Sequence, residues 1–538
     1  MTGKQVPPAF IPQDLQAREN ATLLTNILRG IEKECLRTAP KGQLAMTPHP
    51  LALGSAFTHP SITTDFSEAL LEFISSPTHS MSAMMEQLRA VHQFTYQNIG
   101  DELLWVNSMP CMVGLPEEIP IAQYGSSNRG KMKSVYRVGL GHRYGRAMQT
   151  VAGVHYNFSL PRSFWAFLHA QENSVVGLST YITKKYFDLV RNFRRHYWLL
   201  IYLFGASPAM CRSFVKGRKH NLEAFGRDDH TLHLPYATSL RMGDLGYQSS
   251  AQESLRVCYN NRAQYVNTLS RAISTPYAAY QSIGLNDADG DFKQLNNNLL
   301  QIENEFYSPI RPKRTANKGE TALMALCSRG VEYIEVRCLD LDPWSPLGVN
   351  EEQTRFLDTF LVYCALAESP ETSFEESEYI LVNQKRVVNE GRRPDLKLLD
   401  SSGTEVGMYE WGMQLMDALH DVAKLLDNAH QSESYIESWA AQKEKLTNSA
   451  LTPSARVLTE LQEGKLTFAR WALKRAKENK MLFLDQEFDP ALEKKYRDLA
   501  DESLQLQAAE DDQPQEPFED YLESYYQQYA NCCGEYPC

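Results

Sequence analysis

The spacing of apolar and polar residues divides the chain into a mixed first part and a helical second part. A period of two predicts strands at 31–37 and 331–339, because successive side chains of a strand point to opposite faces. Two further strands are predicted at 150–160, which is rich in β-branched and aromatic residues, and at 298–307, which ends before Pro309. The first part therefore contains several short strands.

Apolar residues at helical spacing predict the remaining elements. In the first part, the expected helices lie at 19–29, 65–74, 81–98 and 162–204, with one more after the glycine-rich, basic loop that opens 123–146. In the second part, they lie at 351–368, 411–430, 434–448, 455–478 and 487–508. Strands concentrated in the first part and helices in the second predict an α+β fold, with a sheet surrounded by helices.

This order predicts four consecutive parts: an irregular N-terminal lead at 1–18, an α+β region at 19–350, a helical part at 351–508 and an acidic tail at 509–538. The formal net charge is −12, and residues 501–538 contribute ten acidic residues and no lysine or arginine. The tail is also rich in glutamine and tyrosine, so we expect it to be solvated and disordered.

Composition and local patterns argue against several classes of protein. There is no broad basic excess, so a nucleic-acid partner is not expected. No apolar run reaches the length of about 18 residues that a membrane span needs, and the N-terminus lacks a secretory pattern. We therefore expect a cytoplasmic protein without a membrane partner. Because neither a P-loop nor a dinucleotide-binding motif occurs, any nucleotide site must use another architecture.

Four predicted strands each carry two polar or charged residues two positions apart: Glu32 and Glu34, His155 and Asn157, Glu303 and Glu305, and Glu335 and Arg337. Each pair shares one face of its strand. A helix at 65–74 would add Asp65, Glu68 and Glu72 on one face. A single pair is typical of a wet sheet surface, but its repetition also suits a divalent cation such as Mg²⁺, which takes carboxylate ligands. Both interpretations remain open at this point.

Basic residues follow the same strands. Arg311, Lys313 and Arg314 come after Pro309, and Arg337 stands beside the carboxylates. Arginine forks suit carboxylates and phosphates, so carboxylates with arginines are compatible with phosphoryl transfer. Taken alone, the basic run at 311–314 is equally typical of an exposed turn.

Seven segments, in this order, carry a family resemblance: GIEKECLR (30–37), ITTDFSEALLEFI (62–74), GVHYNFSLP (153–161), YLFGASPA (202–209), LPYATSLRMGDLGY (234–247), QIENEFYSPIRPKR (301–314) and VEYIEVRCLD (331–340). They resemble bacterial glutamate–cysteine ligases of the proteobacterial type. The resemblance extends from about residue 20 to about residue 400, and more faintly to about residue 500. Lys33 and Cys35 depart from the residues common in the family, on the opposite strand face from the two glutamates.

The resemblance implies a funnel-like antiparallel sheet of the glutamine synthetase type, surrounded by helices and followed by a mostly helical C-terminal part. It implies the ATP-dependent joining of the γ-carboxyl of L-glutamate to L-cysteine through γ-glutamyl phosphate, the first step of glutathione biosynthesis. An alternative keeps the fold and the intermediate but uses another small amine as acceptor. The implied cofactor is Mg²⁺, with Mn²⁺ as an alternative, and ATP is a co-substrate. The oligomeric state is left open, and a monomer is compatible with the sequence.

The resemblance also assigns roles to individual residues. The implied metal ligands form two sets, the first being Glu34, Asp65 and Glu72 and the second Glu32, His155 and Glu335. Within these, Glu32 and Glu335 are implied to share a third ion and to be catalytic together with Arg337. The implied substrate-binding residues are Arg241, Asn157, Phe66, Tyr136, Tyr247 and Tyr307. Lys313 and Arg314 are weaker candidates for contacts with nucleotide phosphates.

Overall fold

The computed structural model describes residues 6–110, 112–226, 229–246, 251–252 and 255–534. For residues 533 and 534 it describes the backbone but not the side chains. Its strands are β1 (Leu28–Thr38), β2 (Ile62–Thr64), β3 (Leu70–Ile74), β4 (Leu103–Leu104), β5 (Val154–Ser159), β6 (Ala209–Cys211), β7 (Glu223–Ala224), β8 (Thr231–His233), β9 (Ile310–Lys313), β10 (Tyr333–Leu339), β11 (Lys397–Leu399) and β12 (Glu405–Gly407).

The helices, in chain order, are α1 (Gln13–Gln16), α2 (Arg18–Ala21), α3 (Met81–Asn98), α4 (Asn128–Tyr144), α5 (Arg162–Gln171), α6 (Leu178–His196), α7 (Trp198–Phe204), α8 (Arg262–Ser274), α9 (Ala278–Gln281), α10 (Ala322–Arg329), α11 (Glu351–Leu366), α12 (Phe374–Glu390), α13 (Met408–His430), α14 (Ser434–Thr447), α15 (Pro453–Gly464), α16 (Phe468–Asp485), α17 (Pro490–Asp511) and α18 (Phe518–Gly534).

The central feature is a seven-stranded sheet in the order β2-β3-β1-β5-β10-β9, with β4 paired to one end of β1. Each pairing in this sheet is antiparallel. Helices pack against this sheet, with α3 in contact with β1 and β3, α6 with β9 and α7 with β10. The predicted α+β class with an antiparallel sheet and a mostly helical C-terminal part is confirmed.

The two faces of β1 have opposite characters. Ile31 and Cys35 are fully buried on the side of α3. Lys33 lies between them, and its Nζ atom is 2.6 Å from Nε2 of His92 on α3. Because strand side chains alternate, Glu32 and Glu34 are left on the other face. Packing against α3 therefore decides which face of the sheet is available for chemistry.

The prediction of a helix at 65–74 is wrong, because this segment forms a turn followed by strand β3. Residues 69–73 satisfy both a helical and a strand pattern, and antiparallel pairing with β1 and β2 decides in favour of the strand. Asp65 therefore lies in the turn and Glu72 in the strand. The carboxylate of Glu68 does not join this carboxylate cluster, because it accepts the backbone N–H groups of His49 and Gln123.

The predicted strand at 298–307 is also wrong. Residues Glu303–Glu305 form a short 3-10 helix, and the strand begins later, at Ile310. Asparagine side chains bind nearby backbone here, as Asn298 N–H donates to Asn296 Oδ1, and such local bonds compete with strand pairing. At 19–29, the helical part ends at Asn26 and β1 begins at Leu28.

The C-terminal segment contradicts the prediction of a disordered tail. Residues 518–534 form helix α18, and Phe518 and Leu522 are buried in a small hydrophobic cluster with Met132 of α4 and Leu295. Acidic composition suggested disorder, but the aromatic residues recur at helical spacing and give α18 an apolar face. The division at 18, 350 and 508 stays a prediction, and one hydrophobic core contains residues from both sides of residue 350. Within the described ranges, no helix is long and apolar enough to cross a membrane.

A buried ion pair ties β1 to the helical part of the chain. Arg29 and Asp358 of α11 are both almost completely buried, and their Nη2 and Oδ2 atoms are 2.7 Å apart. Tyr156 of β5 donates its hydroxyl to Asp358 at 2.7 Å, and Tyr435 of α14 donates to the same carboxylate at 3.2 Å. One carboxylate therefore joins the strands that carry Glu32 and His155 to two helices.

We predict that Asp358→Asn lowers the free energy of unfolding by about 3 kcal/mol, as is typical when one partner of a buried ion pair loses its charge. Denaturant unfolding of the variant and the original protein measures this difference. Glu351→Gln on the same helix is the control, since its pair with Arg355 is partly exposed and is worth less than about 1 kcal/mol. Equal losses in both variants would contradict the role of Asp358.

Candidate active site

The register of the sheet brings the predicted site residues onto one face. Glu34 of β1 lies opposite Glu72 of β3, and Glu32 lies opposite His155 of β5. On the far side of β5, Glu335 extends this row onto β10. Paired residues of antiparallel strands hold their side chains about 5 Å apart. The sheet face opposite α3 therefore carries a continuous row of carboxylates with one imidazole.

Glu32, His155 and Glu335 form the tightest group in this row. Nδ1 of His155 lies 3.1 Å from Oε2 of Glu32 and 3.7 Å from Oε1 of Glu335. One ligand atom from each residue lies within 4.8 Å of the others, which is true of no other such group of histidine, cysteine and acidic residues in the described part of the chain. Carboxylates with an imidazole are suitable ligands for a divalent cation.

Several buried polar atoms in this group and in the neighbouring Asn157 lack a hydrogen-bond partner among the described residues. They are Nε2 of His155, Oδ1 of Asn157 and Oε2 of Glu335. Oε1 of Glu34 is 3.4 Å from the imidazole Nε2, whereas Asn157 Nδ2 donates to Glu32 at 2.8 Å. An unsatisfied buried polar atom costs about 1–3 kcal/mol. A cation bound between imidazole and carboxylates would remove this cost, so the residues fit a metal ion.

Positive charge keeps Glu335 ionised. Burial would raise the pKa of Glu335, yet this pKa lies well below its usual value because Lys313, Arg337 and Arg311 are close. Nη1 of Arg337 is 2.9 Å from Oε1 of Glu335, and Nζ of Lys313 is 3.6 Å from Oε2. In return, Glu335 raises the pKa of Lys313. The group therefore combines an anionic ligand with three cations that could face a phosphate.

A second group of carboxylates lies at the β3 side of the row. The pKa of Glu72 is well above its usual value because of burial and of nearby negative charges, led by Glu32 and Asp65. Burial also raises the pKa of Glu34, and Asp65 adds to this shift. The N–H of Gly153 donates to Glu34 at 2.7 Å. Carboxylates in such proximity are unfavourable unless a proton or a cation joins them.

The two basic candidates at the end of β9, Lys313 within the strand and Arg314 directly after it, differ in their surroundings. Lys313 faces the metal group, but Arg314 lies 3.6 Å from Glu332 and donates to the carbonyl of Arg329. Arg311 was not among the predicted site residues, although it pairs in register with Glu335 and is buried beside it. Its spacing of two from Lys313 was the signal that could have identified it.

Arg241 is completely buried and is held by Asp340, whose Oδ1 is 2.9 Å from its Nε. Its Nη2 donates to the carbonyls of Arg337 and Leu339. A Cβ atom on Gly153 would lie 2.9 Å from the guanidinium, so glycine is required for this close approach. Sequence reasoning missed Asp340, which directly follows strand β10. The contacts fix the position of Arg241 and leave its predicted role in substrate binding as a prediction.

Of the predicted aromatic residues, Tyr307 lines a cavity together with Arg337. The volume of this cavity is about 370 Å³. Tyr307 accepts a hydrogen bond from Gln149 at 2.9 Å. Burial raises the pKa of Tyr136 well above its usual value, and the nearby Glu305 carboxylate adds to this shift. Phe66 is buried next to helix α4. Tyr247 lies outside the described residues.

Comparison with known proteins identifies relatives of the whole chain. The family model described as glutamate–cysteine ligase matches residues 13–387. A glutamate–cysteine ligase of Saccharophagus degradans is 56% identical over 517 residues, which are 96% of this chain and 97% of the relative. One of Alcanivorax borkumensis is 50% identical over 510 residues, covering 94% of this chain and 97% of the relative.

Among solved structures, a glutamate–cysteine ligase of Francisella tularensis in complex with AMP superposes with a TM-score of 0.89. It is 36% identical, and the match covers 94% of this chain and 99% of the other. The relatives and the solved structure therefore agree over nearly the full length, and the family model agrees with them over residues 13–387. This chain belongs to the glutamate–cysteine ligase family.

Proposed function

We propose that this protein uses ATP to join the γ-carboxyl of L-glutamate to the amine of L-cysteine, the first step of glutathione synthesis. The observation that carries the proposal is the group of Glu32, His155 and Glu335, which faces Arg337 on the sheet of a chain from this family. This arrangement combines anionic metal ligands with cations, as phosphoryl transfer requires. The reaction would proceed through γ-glutamyl phosphate, which then reacts with the amine.

The nucleotide and the metal have different support. AMP is bound in the similar Francisella tularensis enzyme, which supports ATP as the co-substrate here. We propose Mg²⁺ as the metal, with Mn²⁺ as a substitute, because both accept carboxylate oxygens. When bound, the metal would neutralise phosphate charge and hold phosphate oxygens. Glu32, His155 and Glu335 would hold one ion, and Glu34, Asp65 and Glu72 a second, with Glu32 and Glu335 contributing to a third.

The cations act where negative charge develops. Nη1 of Arg337 contacts Oε1 of Glu335, and Arg337 also lines the cavity beside Tyr307. Its guanidinium therefore lies between the proposed metal ligands and this cavity. We assign it to the transferring phosphoryl group, because a preorganised cation in a partly buried site stabilises developing charge strongly. Lys313, on the other side of Glu335, is assigned to nucleotide phosphates, with Arg314 as a weaker candidate.

We also propose roles for the residues that would bind the substrates. We assign Arg241 and Asn157 to substrate carboxylate and polar groups, and Phe66, Tyr136, Tyr247 and Tyr307 to the pocket for the cysteine side chain. An aromatic pocket excludes water from the γ-glutamyl phosphate and accepts a thiol. A pocket of this kind discriminates small apolar differences by only about 1–3 kcal/mol. Another small amine acceptor is therefore the alternative.

The remaining expectations concern the setting of the enzyme. Glutamate, cysteine and ATP are the partners that we propose, without nucleic acid or membrane. A cytoplasmic location suits a reaction that consumes ATP, and a monomer is compatible with a site whose proposed residues all belong to one chain.

We predict that Glu335→Gln reduces Mg²⁺-dependent ADP formation by at least about 100-fold, because loss of a partner outside the ligand set already costs about 10- to 100-fold. The measurement is a coupled ADP assay over a Mg²⁺ titration, with circular dichroism to establish folding. Glu332→Gln is the matched control, since its side chain is largely exposed and pairs with Arg314. A variant that keeps the original Mg²⁺ dependence would refute the metal assignment.

We predict that Arg337→Ala lowers kcat by about 100-fold or more while each KM changes little, as for a group that acts in the transition state. Steady-state kinetics with each substrate varied in turn will test this. Arg329→Ala, which removes a cation paired with Glu320 at 2.7 Å, should leave kcat nearly unchanged. A change confined to KM would assign Arg337 to ground-state binding.

Acceptor selectivity separates the proposed function from its alternative. With glutamate and ATP present, we expect the highest kcat/KM with cysteine, a lower value with 2-aminobutyrate and the lowest with ammonia. ADP release is measured for each acceptor, and mass spectrometry with peptide fragmentation establishes the γ-linkage of the product. A clear preference for ammonia would overturn the assignment of cysteine.

A further inference from the structure

Helix α18 packs on the segment that leads into Tyr307. Phe518 and Leu522 supply one side of the small hydrophobic cluster, and its other members come from α4 and from the segment 295–302. The Phe518 ring also contacts that of Phe292, with centroids 5.1 Å apart. The helix is therefore bound to two elements at once, α4 and the chain before β9.

Two tyrosines of α18 add polar contacts to this packing. The hydroxyl of Tyr526 donates to the carbonyl of Gln301 at 2.9 Å and accepts from Asn296 Nδ2 at 2.8 Å. The hydroxyl of Tyr529 donates to the buried carboxylate of Glu303. These hydroxyls hold the backbone and side chains of residues 296–303 in one arrangement.

Gln301 connects the segment held by α18 to helix α4. Its side chain is completely buried, with Nε2 donating to the carbonyl of Tyr136 at 3.1 Å and Oε1 accepting the N–H of Leu295 at 3.0 Å. Gly139 provides the space for the amide, since a Cβ atom there would lie 2.1 Å from Oε1 of Gln301. This buried amide is therefore one direct link between α4 and the segment held by α18.

The same segment also determines the position of Tyr307. Glu305 is buried and accepts from Tyr144 of α4 at 2.7 Å. The ring of Tyr144 lies 5.9 Å from that of Tyr307. Gln252 donates to the carbonyl of Glu305 and accepts the N–H of Tyr307. The positions of Tyr136 and Tyr307 therefore both depend on residues 295–305.

We propose that helix α18 sets the geometry of the acceptor pocket, with Tyr526 and Gln301 as positioning residues for Tyr136 and Tyr307. This inference rests on the proposed function, in which these two tyrosines contact the cysteine substrate. None of the contacts described for Tyr526 or Gln301 reaches Glu32, His155 or Glu335. Loosening α18 should therefore weaken acceptor binding and leave the phosphoryl-transfer half of the reaction largely intact.

The test uses Tyr526→Phe in the full-length protein. Tyr526→Phe removes both hydrogen bonds of the hydroxyl, and we expect the KM for cysteine to rise about three- to tenfold, an energy comparable to that of about one buried hydrogen bond. The KM values for ATP and glutamate should change by less than about twofold. The ratio of kcat/KM for cysteine over 2-aminobutyrate should fall as well, which a general loss of stability would not produce.

Tyr521→Phe is the matched control on the same helix. Tyr521 stacks on Phe518, and its hydroxyl makes no hydrogen bond to any described residue. Its KM for cysteine should equal that of the original protein. Gly139→Ala, which would displace the Gln301 amide from the opposite side, should reproduce the rise in KM seen with Tyr526→Phe.

The outcomes distinguish the two proposals. If the original protein forms no γ-glutamylcysteine from glutamate, cysteine and ATP, the proposed function fails. If it does so, and Tyr526→Phe and Gly139→Ala fold with an unchanged KM and unchanged acceptor ratio, the positioning role is overturned. If these variants had a lower Tm but an unaltered KM for cysteine and acceptor ratio, α18 would contribute only to stability, and the positioning role would likewise be overturned. Should Gly139→Ala fail to fold, Gln301→Met with the same kinetic readout replaces it.

Discussion

The rest of the site depends on the register of strand β1 between β3 and β5. A shift of one residue would exchange the two faces of the strand and place Glu32 and Glu34 against α3. The apolar residues Ile31 and Cys35 prevent this, because they are fully buried on the α3 side. Hydrophobic packing on one face thus holds several carboxylates together on the other, although these carboxylates repel one another.

This repulsion explains the uneven electrostatics of the row. Near β9 and β10, basic side chains keep Glu335 ionised, whereas near β3 burial and neighbouring charge favour a proton on Glu72. The two ends of one sheet face therefore differ in their affinity for protons. The repulsion between these carboxylates must be offset by favourable packing elsewhere in the protein. Here the buried Arg29–Asp358 pair and the two tyrosines bound to it stabilise the strands.

The helices beyond the sheet extend this preorganisation outward. Arg241 is immobilised by Asp340 and by backbone carbonyls, and the aromatic residues near Arg337 are supported by hydrogen bonds to Gln149, Gln252 and Gln301. A substrate-binding side chain that is already held in place loses little freedom on binding. Helix α18 belongs to this outer layer, although it is far in sequence from strand β1, which carries Glu32 and Glu34.

The sequence by itself determined the elements whose pattern had one reading. Periodicity predicts the strands at 31–37 and 331–339, the helix at 81–98 and most of the C-terminal helices. Each of these elements is buried on one side, and one-sided burial produces a regular spacing of apolar residues in the sequence. The family motifs supplied the candidate site residues, whose roles stay a prediction, and the strand register places five of them on one sheet face: Glu32, Glu34, Glu72, His155 and Glu335. Local pattern could not decide segments that satisfy two periods or none, such as 65–74 and 298–307. Tertiary structure alone decided that Glu72 stands opposite Glu34, that Asp340 holds Arg241 and that the acidic end folds as α18, because each depends on partners distant in the chain.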